Sequence, residues 1–357
     1  VGIDTNNRVG LQQRSAFVLG SQGQWGGAWL GRAGDNVLVN AATGNLVISN
    51  SDEMLFGVGP DSSITRTHNS LASDPNGNWH AGTTRSIKTL TGTVNTSGST
   101  VTRVDWDGSE VTYSYQTVDG VSAYWTKEGD GAFDKLTWNG TNWIWDDGAS
   151  LITETYEAIG SGGRILSRAD ADGNDLTFSY GSNGLVSRVT TENGEYTDFV
   201  YSGTKLTQLE THDSTTRTRV RYTYDGSDRL STVTVDLSRT DGSTSLTSVS
   251  DSYSYTTTYT YDGSSSRVAT ISQTDGSYLS ISYDSSSHKV TGYTQTVASG
   301  VTRSTSISYD SSTQTTITAD GLATILTYDS SGRLTQITYP AAVSGGTAQT
   351  TTFTYNS

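Results

Sequence analysis

Apolar and polar positions alternate along much of the chain with the two-residue period of strands buried on one face. In the stretch from Val220 to Val235, Val220, Tyr222 and Tyr224 alternate with Arg221 and Thr223. After a polar break, Arg229-Leu230 opens a return run in which Val233 and Val235 alternate with Thr232 and Thr234. The break begins with Asp225-Gly226, a turn signal, because Gly accepts a positive φ and Asp tolerates one. The stretch predicts one β-hairpin.

The same unit returns at intervals of about 20 to 25 residues, a period found in repeat architectures. Asp172-Gly173 precedes Leu176-Thr177-Phe178-Ser179-Tyr180, and Asn193-Gly194 precedes Phe199-Val200-Tyr201. Tyr253, Tyr255, Tyr259 and Tyr261 alternate up to Asp262-Gly263. Tyr283-Asp284, Tyr309-Asp310 and Tyr328-Asp329 close later runs, and Phe353-Thr354-Tyr355 forms the last. Three divisions are expected: an irregular Gly/Trp-rich lead-in or cap over 1–35, front hairpins with Trp-rich turns over 36–160, and regular repeats over 161–357. The run Gly160-Ser161-Gly162-Gly163 reads as the loop between the last two.

In the front part, Val37-Leu38-Val39 and Leu46-Val47-Ile48 flank Asn40-Ala41-Ala42-Thr43-Gly44-Asn45, a hairpin. Ile64-Thr65-Arg66-Thr67-His68-Asn69-Ser70 reads as a strand running into a polar turn. Asp74-Pro75-Asn76-Gly77 is a turn with Pro at its second position. Trp138-Asn139-Gly140 and Trp143-Ile144-Trp145-Asp146 continue the pattern of short strands joined at Asn or Asp. No segment carries a helical stripe. The fold class is therefore all-β: repeated hairpins forming one long antiparallel sheet. About 30 strands laid flat would span on the order of 140 Å. Accumulated twist forbids so long a flat sheet, so it must coil into a shell or hollow spiral.

Composition sharpens this picture. Hydrophobic residues make up only 32% of the 357 residues, and the 20 Tyr and 8 Trp supply the remaining apolar area. Charged residues are only 16%, too few for a disordered chain held open by its charge. The net charge of −14 leaves no basic footprint for nucleic acid and suits an extracellular surface. Without Cys there are no disulfides and no thiolate chemistry. No apolar run reaches the length of a membrane helix, so no membrane insertion is expected of this segment. The chain begins at Val1 without Met or a signal peptide, which reads as a piece of a longer precursor or as the ordered part of one.

Candidate chemistry is sparse. His68, His80, His212 and His288 fall in unrelated segments, outside any metal or nucleophile motif. Asp170-Ala171-Asp172-Gly173-Asn174-Asp175 is superficially similar to a calcium loop, but its Gly stands fourth and not sixth and no Glu stands twelfth, so at most weak calcium binding is expected. Asp146 with Asp147, and Glu128 with Asp130, are acidic pairs of the kind glycosidases use. Trp25, Trp29, Trp143 and Trp145 offer a stacking surface for glycans. That is the alternative reading, a carbohydrate-binding or adhesive module. No catalytic constellation emerges, and the chain reads as a non-enzyme.

Tyr224-Asp225-Gly226 with Arg229-Leu230, Tyr261-Asp262-Gly263 with Arg267-Val268, and Tyr328-Asp329 with Gly332-Arg333-Leu334 resemble the YD repeat of bacterial Rhs proteins. Val39 to Leu46, followed by Arg66 to Ser70, is similar to the segment opening many Rhs repeat regions. The resemblance implies a strip of hairpins wound into a hollow shell, secreted or displayed at the cell surface. Relatives include toxin-complex components, wall-associated toxins and teneurin ectodomains. It also implies that the shell encloses a toxic domain or assembles with further repeats of its precursor or further copies. The paired Asp-Pro-x-Gly motifs of the family's self-cleaving plug are absent, since Asp74-Pro75-Asn76-Gly77 stands alone. The edge near Thr350–Asn356 lacks a cap and is expected to be completed by a following repeat or another copy.

Overall fold

The computed structural model describes residues 28–29, 35–73, 78–126, 134–213, 216–236, 254–298, 300–330, 332–343 and 346–355. These form two antiparallel sheets. The first has five strands in chain order: β1 (Ala28–Trp29), β2 (Asn36–Val39), β3 (Leu46–Leu55), β4 (Ser62–Asn69) and β5 (Trp79–Ala81). A single 3-10 turn, Gly82–Thr84, leads to the second sheet.

That sheet is a meander in which each strand pairs with the next. It opens with β6 (Ser86–Thr91), β7 (Thr100–Val104), β8 (Glu110–Val118), β9 (Val121–Trp125), β10 (Lys135–Trp138), β11 (Trp143–Asp146), β12 (Thr153–Tyr156) and β13 (Ile165–Ala169). It continues through β14 (Asp175–Tyr180), β15 (Val186–Thr190), β16 (Tyr196–Ser202), β17 (Lys205–Asp213), β18 (Thr216–Tyr224), β19 (Leu230–Asp236) and β20 (Ser254–Tyr261). The rest is β21 (Val268–Gln273), β22 (Tyr278–Tyr283), β23 (Val290–Ala298), β24 (Val301–Ser311), β25 (Gln314–Ala319), β26 (Leu322–Tyr328), β27 (Leu334–Thr338) and β28 (Thr350–Thr352).

The long sheet is a coil and not a closed barrel. No register joins β28 to β6 among the described residues. The free edge of β6 instead touches the chain just ahead of β13: Ser86 bridges Arg164, and Ile87 N–H donates to Gly163 O at 2.7 Å. One turn of the coil thus comes back on itself at Gly163. This glycine has φ +62°, and a Cβ there would lie 2.1 Å from Ile87 O.

The coil wraps around the five-stranded sheet. Asn69 of β4 donates to Asp107 O, before β8, while Thr315 of β25 donates to Ala41 O. Seventeen strand spacings separate β8 from β25, about 80 Å if the sheet were flat. Both ends nevertheless reach one small sheet, so the strip must curl around it. One hydrophobic cluster accordingly joins Val37, Ile48, Ile64 and Trp79 of the front sheet to Tyr222, Ile271, Ile307 and Ile337 of the strip. In this segment the space inside the expected spiral is occupied by its own front sheet.

The sheet changes between Ala81 and Ser86, inside the expected 36–160 unit. Near residue 160 the strip is continuous, because β12 pairs with β13 across the Gly-rich loop. The turn geometry also differs. Gly226 does not carry the positive φ of its turn; Asp228 does, at 65°. The loop closes as Asp228 N–H to Asp225 O at 3.0 Å and Asp225 N–H to Arg229 O at 2.8 Å. The left-handed residue is therefore the fourth, where Gly332 stands after Asp329 and Gly173 after Asp170, with φ of 74° and 87°. Asp225 Oδ1 meanwhile accepts from the N–H groups of Ser227 and Arg229, so Asp caps the loop.

Candidate functional site

The signature residues assemble into a ladder that joins each repeat to the next. A register shift precedes or follows the repeat tyrosine, between Thr223 and Tyr224, Thr260 and Tyr261, and Ser282 and Tyr283. The extra residue, Ser231, Ala269 or Thr291, lies on the return strand and increases local twist. Tyr261 Oη donates to Leu230 O at 2.6 Å, and Arg229 lies over its ring at 4.5 Å. Tyr283 does the same with Val268 O at 2.7 Å and Arg267 at 5.5 Å. Tyr180 with Arg164, Tyr224 with Lys205, Tyr309 with Lys289 and Tyr355 with Arg333 repeat the arrangement. Their hydroxyls donate to Ile165 O, Leu206 O, Val290 O and Leu334 O at 2.5–2.8 Å.

In three of the six rungs the turn aspartate also holds the cation, whereas Arg164 pairs with Glu157 and Lys205 with Asp228. Asp225 pairs with Arg229 at 2.8 Å, Asp262 with Arg267 at 2.7 Å, and Asp329 with Arg333 at 2.6 Å. Burial pushes the hydroxyls of Tyr224 and Tyr261 up to about 12, so they stay protonated donors. Tyr, Asp and Arg thus recur together because one contact set needs all three. Sequence reading missed Lys205, Lys289 and Arg164, because each touches a tyrosine 15 to 20 residues later. The available signal was a basic residue directly before the first apolar residue of each return strand.

Two members depart from the pattern. Asp310 lies within β24, not in a turn, and accepts from Ser308 Oγ and Thr316 Oγ1. Tyr328 is buried at 4% exposure and has no stacked cation among the described residues, its amide donating to Thr313 O.

The two front motifs meet in space. Asn45 Nδ2 donates to Asn69 Oδ1, Leu46 N–H to Ser70 Oγ, and Leu71 N–H to Asn45 Oδ1. Gly44, at φ +77°, presses on Lys289, where a Cβ would lie 2.5 Å from the lysine Cβ. Its carbonyl accepts from Val290 N–H at 3.0 Å, which fastens the front hairpin to the strip.

A buried polar cluster fastens the rest. Arg66 pairs with Asp52 at 3.0 Å and with Asp35 at 3.5 Å, and its Nη1 donates to Tyr259 Oη at 2.9 Å. Tyr259 Oη donates to Asp35 and Tyr222 Oη to Asp52. Thr218 Oγ1 donates to Glu53 at 3.0 Å, and Trp79 Nε1 to Tyr261 Oη at 3.1 Å. Burial opposes the charge of Arg66, but Asp52, Tyr259 and Asp35 outweigh it and hold the guanidinium above its ordinary value. His68 Nε2 lies 2.9 Å from Ser266 O, the N–H donating, and burial lowers its pKa to about 4. The cluster sets the front sheet in one register on the strip, because a slip would strand several buried charges.

The remaining candidates are structural or scattered. Trp143 and Trp145 are 2% and 8% exposed and form no platform. Trp143 packs between Tyr124 and Trp138, while Trp145 lies 3.9 Å beneath Arg103 and donates to Tyr113 Oη. The backbone of Trp29 is in β1, and Trp25 lies outside the described residues, as do Asp74–Gly77, Glu128, Asp130 and Tyr253. Asp146 holds Lys135 at 3.0 Å, and Asp147 caps its turn through Ala149 N–H. Asp170 likewise spends its oxygens on Asp172 and Asn174. His80 contacts Thr84, His212 stacks on Tyr196 at 4.4 Å, and His288 sits in a turn at φ 60°. No group of three His, Cys, Asp or Glu able to hold a metal occurs among the described residues.

Residues 309–344 match the RHS Repeat family. The match spans Tyr328-Asp329 and Gly332-Arg333-Leu334 and bears out the resemblance read from them. No curated protein matches the chain. Among solved structures it is similar to TcdB2-TccC3-TEV, at 10% identity and a TM-score of 0.40, over 90% of this chain and 21% of that one. It is similar also to TcdB2-TccC3-Cdc42, at 10% identity and a TM-score of 0.36, over 90% and 21%. A third is the Photorhabdus luminescens Tc holotoxin pore with a TccC3 mutation, at 13% identity and a TM-score of 0.23, over 85% and 20%. The chain spans about a fifth of the length of these structures.

Proposed function

We propose that the chain is a non-enzymatic wall segment of a secreted or surface-delivered Rhs-type protein, and that its coil continues into further strands or other copies around an enclosed domain. The Tyr–Arg–Asp ladder carries this reading: the signature residues are spent joining one repeat to the next, and the acidic pairs and histidines within the described residues are spent on turns and packing. Among the described residues β28 pairs only with β27 and its three residues are exposed, which supports continuation of the strip. A screen of the purified chain for glycosidase, nuclease, protease and esterase activity tests the non-enzymatic part and should be flat. A turnover abolished by Asp146→Asn or Asp147→Asn would overturn it. Continuation is tested by light scattering at rising concentration, with and without Thr352→Pro, which blunts the edge because residues 349, 351 and 353 face β27 and 352 faces away from it. Association that the proline removes supports the wall reading, and a monomer whose β28 amides resist exchange contradicts it.

A further inference from the structure

The first turn of the coil holds a second buried ionic cluster, and its charges do not balance. Arg103 Nη2 donates to Glu154 at 2.6 Å, its Nη1 lies 3.3 Å from Asp105, and its Nε donates to Tyr156 Oη at 2.9 Å. Two more arginines share the same carboxylates at longer range. Arg85 Nε is 3.4 Å from Asp105 and 3.6 Å from Glu154, and Arg168 Nε is 3.5 Å from Glu154. Three guanidiniums thus face two carboxylates, one positive charge in excess. Burial and the neighbouring Arg85 push the Arg168 pKa below its ordinary value, as expected of a cation short of counter-charge.

Beside this cluster a cleft of about 230 Å³ opens between the front sheet and the strip, walled in part by Arg85, Arg168, Ser62, Thr65, Trp106 and Phe178. Arg168 Nε and Ser62 Oγ are buried and make no hydrogen bond among the described residues. Asp61, the one acidic residue lining the cleft, is exposed, where water screens it. Unmet donors in a partly dry site cost free energy until an acceptor arrives. The single excess charge calls for a monoanion, and the aromatic and aliphatic walls call for an apolar body. The cleft is somewhat larger than a cavity of about 150 Å³ that takes up benzene, so it suits a small body.

We propose that this cleft binds a monocarboxylate with a small apolar body, its carboxylate gripped by Arg168 and Arg85 and its body set between Trp106 and Phe178. The carboxylate can belong to a free organic acid or to the C-terminus of a polypeptide, and both are tested on the intact chain. Ligand-observed NMR and tryptophan fluorescence are recorded with hexanoate, hexanamide, inorganic phosphate, and a five-residue peptide ending in Phe, free or amidated at its C-terminus. Hexanoate or the free-acid peptide should bind, the neutral counterparts should not, and phosphate should be weaker. Binding of only one of the two assigns the source. The fluorescence change should vanish in Trp106→Phe, and affinity should fall about tenfold or more in Arg168→Gln, the worth of a charged hydrogen bond. Wild-type binding that does not distinguish hexanoate from hexanamide, or that binds neither carboxylate, overturns the proposal without using any variant. Either outcome leaves the wall reading untouched, since that rests on the ladder.

Discussion

The front sheet and the repeat strip are built from the same alternating strands, yet they are held by opposite kinds of contact. In the strip each rung joins residues 15 to 31 apart, and the next rung repeats it with new residues. The front sheet is held by contacts that occur once, among them four between residues 170 to 274 apart: Asp52 with Tyr222, Arg66 with Tyr259, His68 with Ser266, and Ala41 with Thr315. A repeat array spreads its stability over similar neighbour terms. A single docked sheet concentrates it in a few buried groups, so damage there should be larger and felt throughout the coil.

The largest effect is expected at Arg66. Replacing it with Met leaves Asp35 and Asp52 buried without their cation, which costs about 3–5 kcal/mol. Urea unfolding measures this, and a loss under about 1 kcal/mol would show that the docking charges are not coupled to the fold.

The next is a pH effect at His68. Its folded pKa of about 4 lies below the unfolded value of about 6.5, so the unfolded chain binds the extra proton first. Stability is lost as pH falls from about 6.5 to about 4, by about 3 kcal/mol. Burial raises Asp35 and Glu53, and these act with the opposite sign, adding stability at low pH that is lost as pH rises. The comparison is therefore between wild type and His68→Gln. Melting temperatures of the two should converge as pH drops from 7 to 4.5, and a constant gap would contradict the buried neutral imidazole.

A matched pair of glycines sharpens the contrast further. Gly44 and Gly332 have φ of 77° and 74°, but only Gly44 has a neighbour where a Cβ would go. Gly332→Ala should cost about 1 kcal/mol of backbone strain alone. Gly44→Ala should cost about 2–3 kcal/mol, since it also lifts the front hairpin from Lys289. Equal losses would mean that the hairpin is not docked.

Within the ladder, Tyr283→Phe removes one hydrogen bond to Val268 O. The expected cost is about 1 kcal/mol, confined by hydrogen exchange to β21–β23. Destabilisation reaching β3 would make the ladder as global as the dock. The smallest effect concerns calcium. Asp170 is committed to its own turn, so a chelator should leave the melting midpoint unchanged.

How much of this was readable in the sequence follows from the same contrast. The hairpins, the polar turns and the repeat unit are local, written in alternation and in Asp or Gly at fixed offsets. Hence the hairpins joining β18 to β19 and β2 to β3 were legible, though not their register. Gly226 was assigned the wrong conformation because an Asp-Gly pair suits a two-residue turn, whereas this loop is longer and Asp228 takes the left-handed place. Trp143 and Trp145 read as an exposed platform because nothing nearby in sequence covers them, but Tyr113, Tyr124 and Arg103 do so from other strands. The burial of Arg66 was not legible for the same reason. Its two carboxylates lie upstream and its tyrosine 193 residues downstream, a distance no local pattern reports.

The central claim is that the repeat strip closes over its own front sheet. Val290 N–H tests it most directly, because it donates to Gly44 O and marks the junction between the two. Residue-resolved native-state hydrogen exchange should find Val290 protected to the same degree as Ile48 and Thr67 of the front sheet, with all three losing protection together in Arg66→Met. Val290 exchanging at the rate of an open amide, while Leu279 and Ile281 in neighbouring β22 stay protected, would contradict the claim.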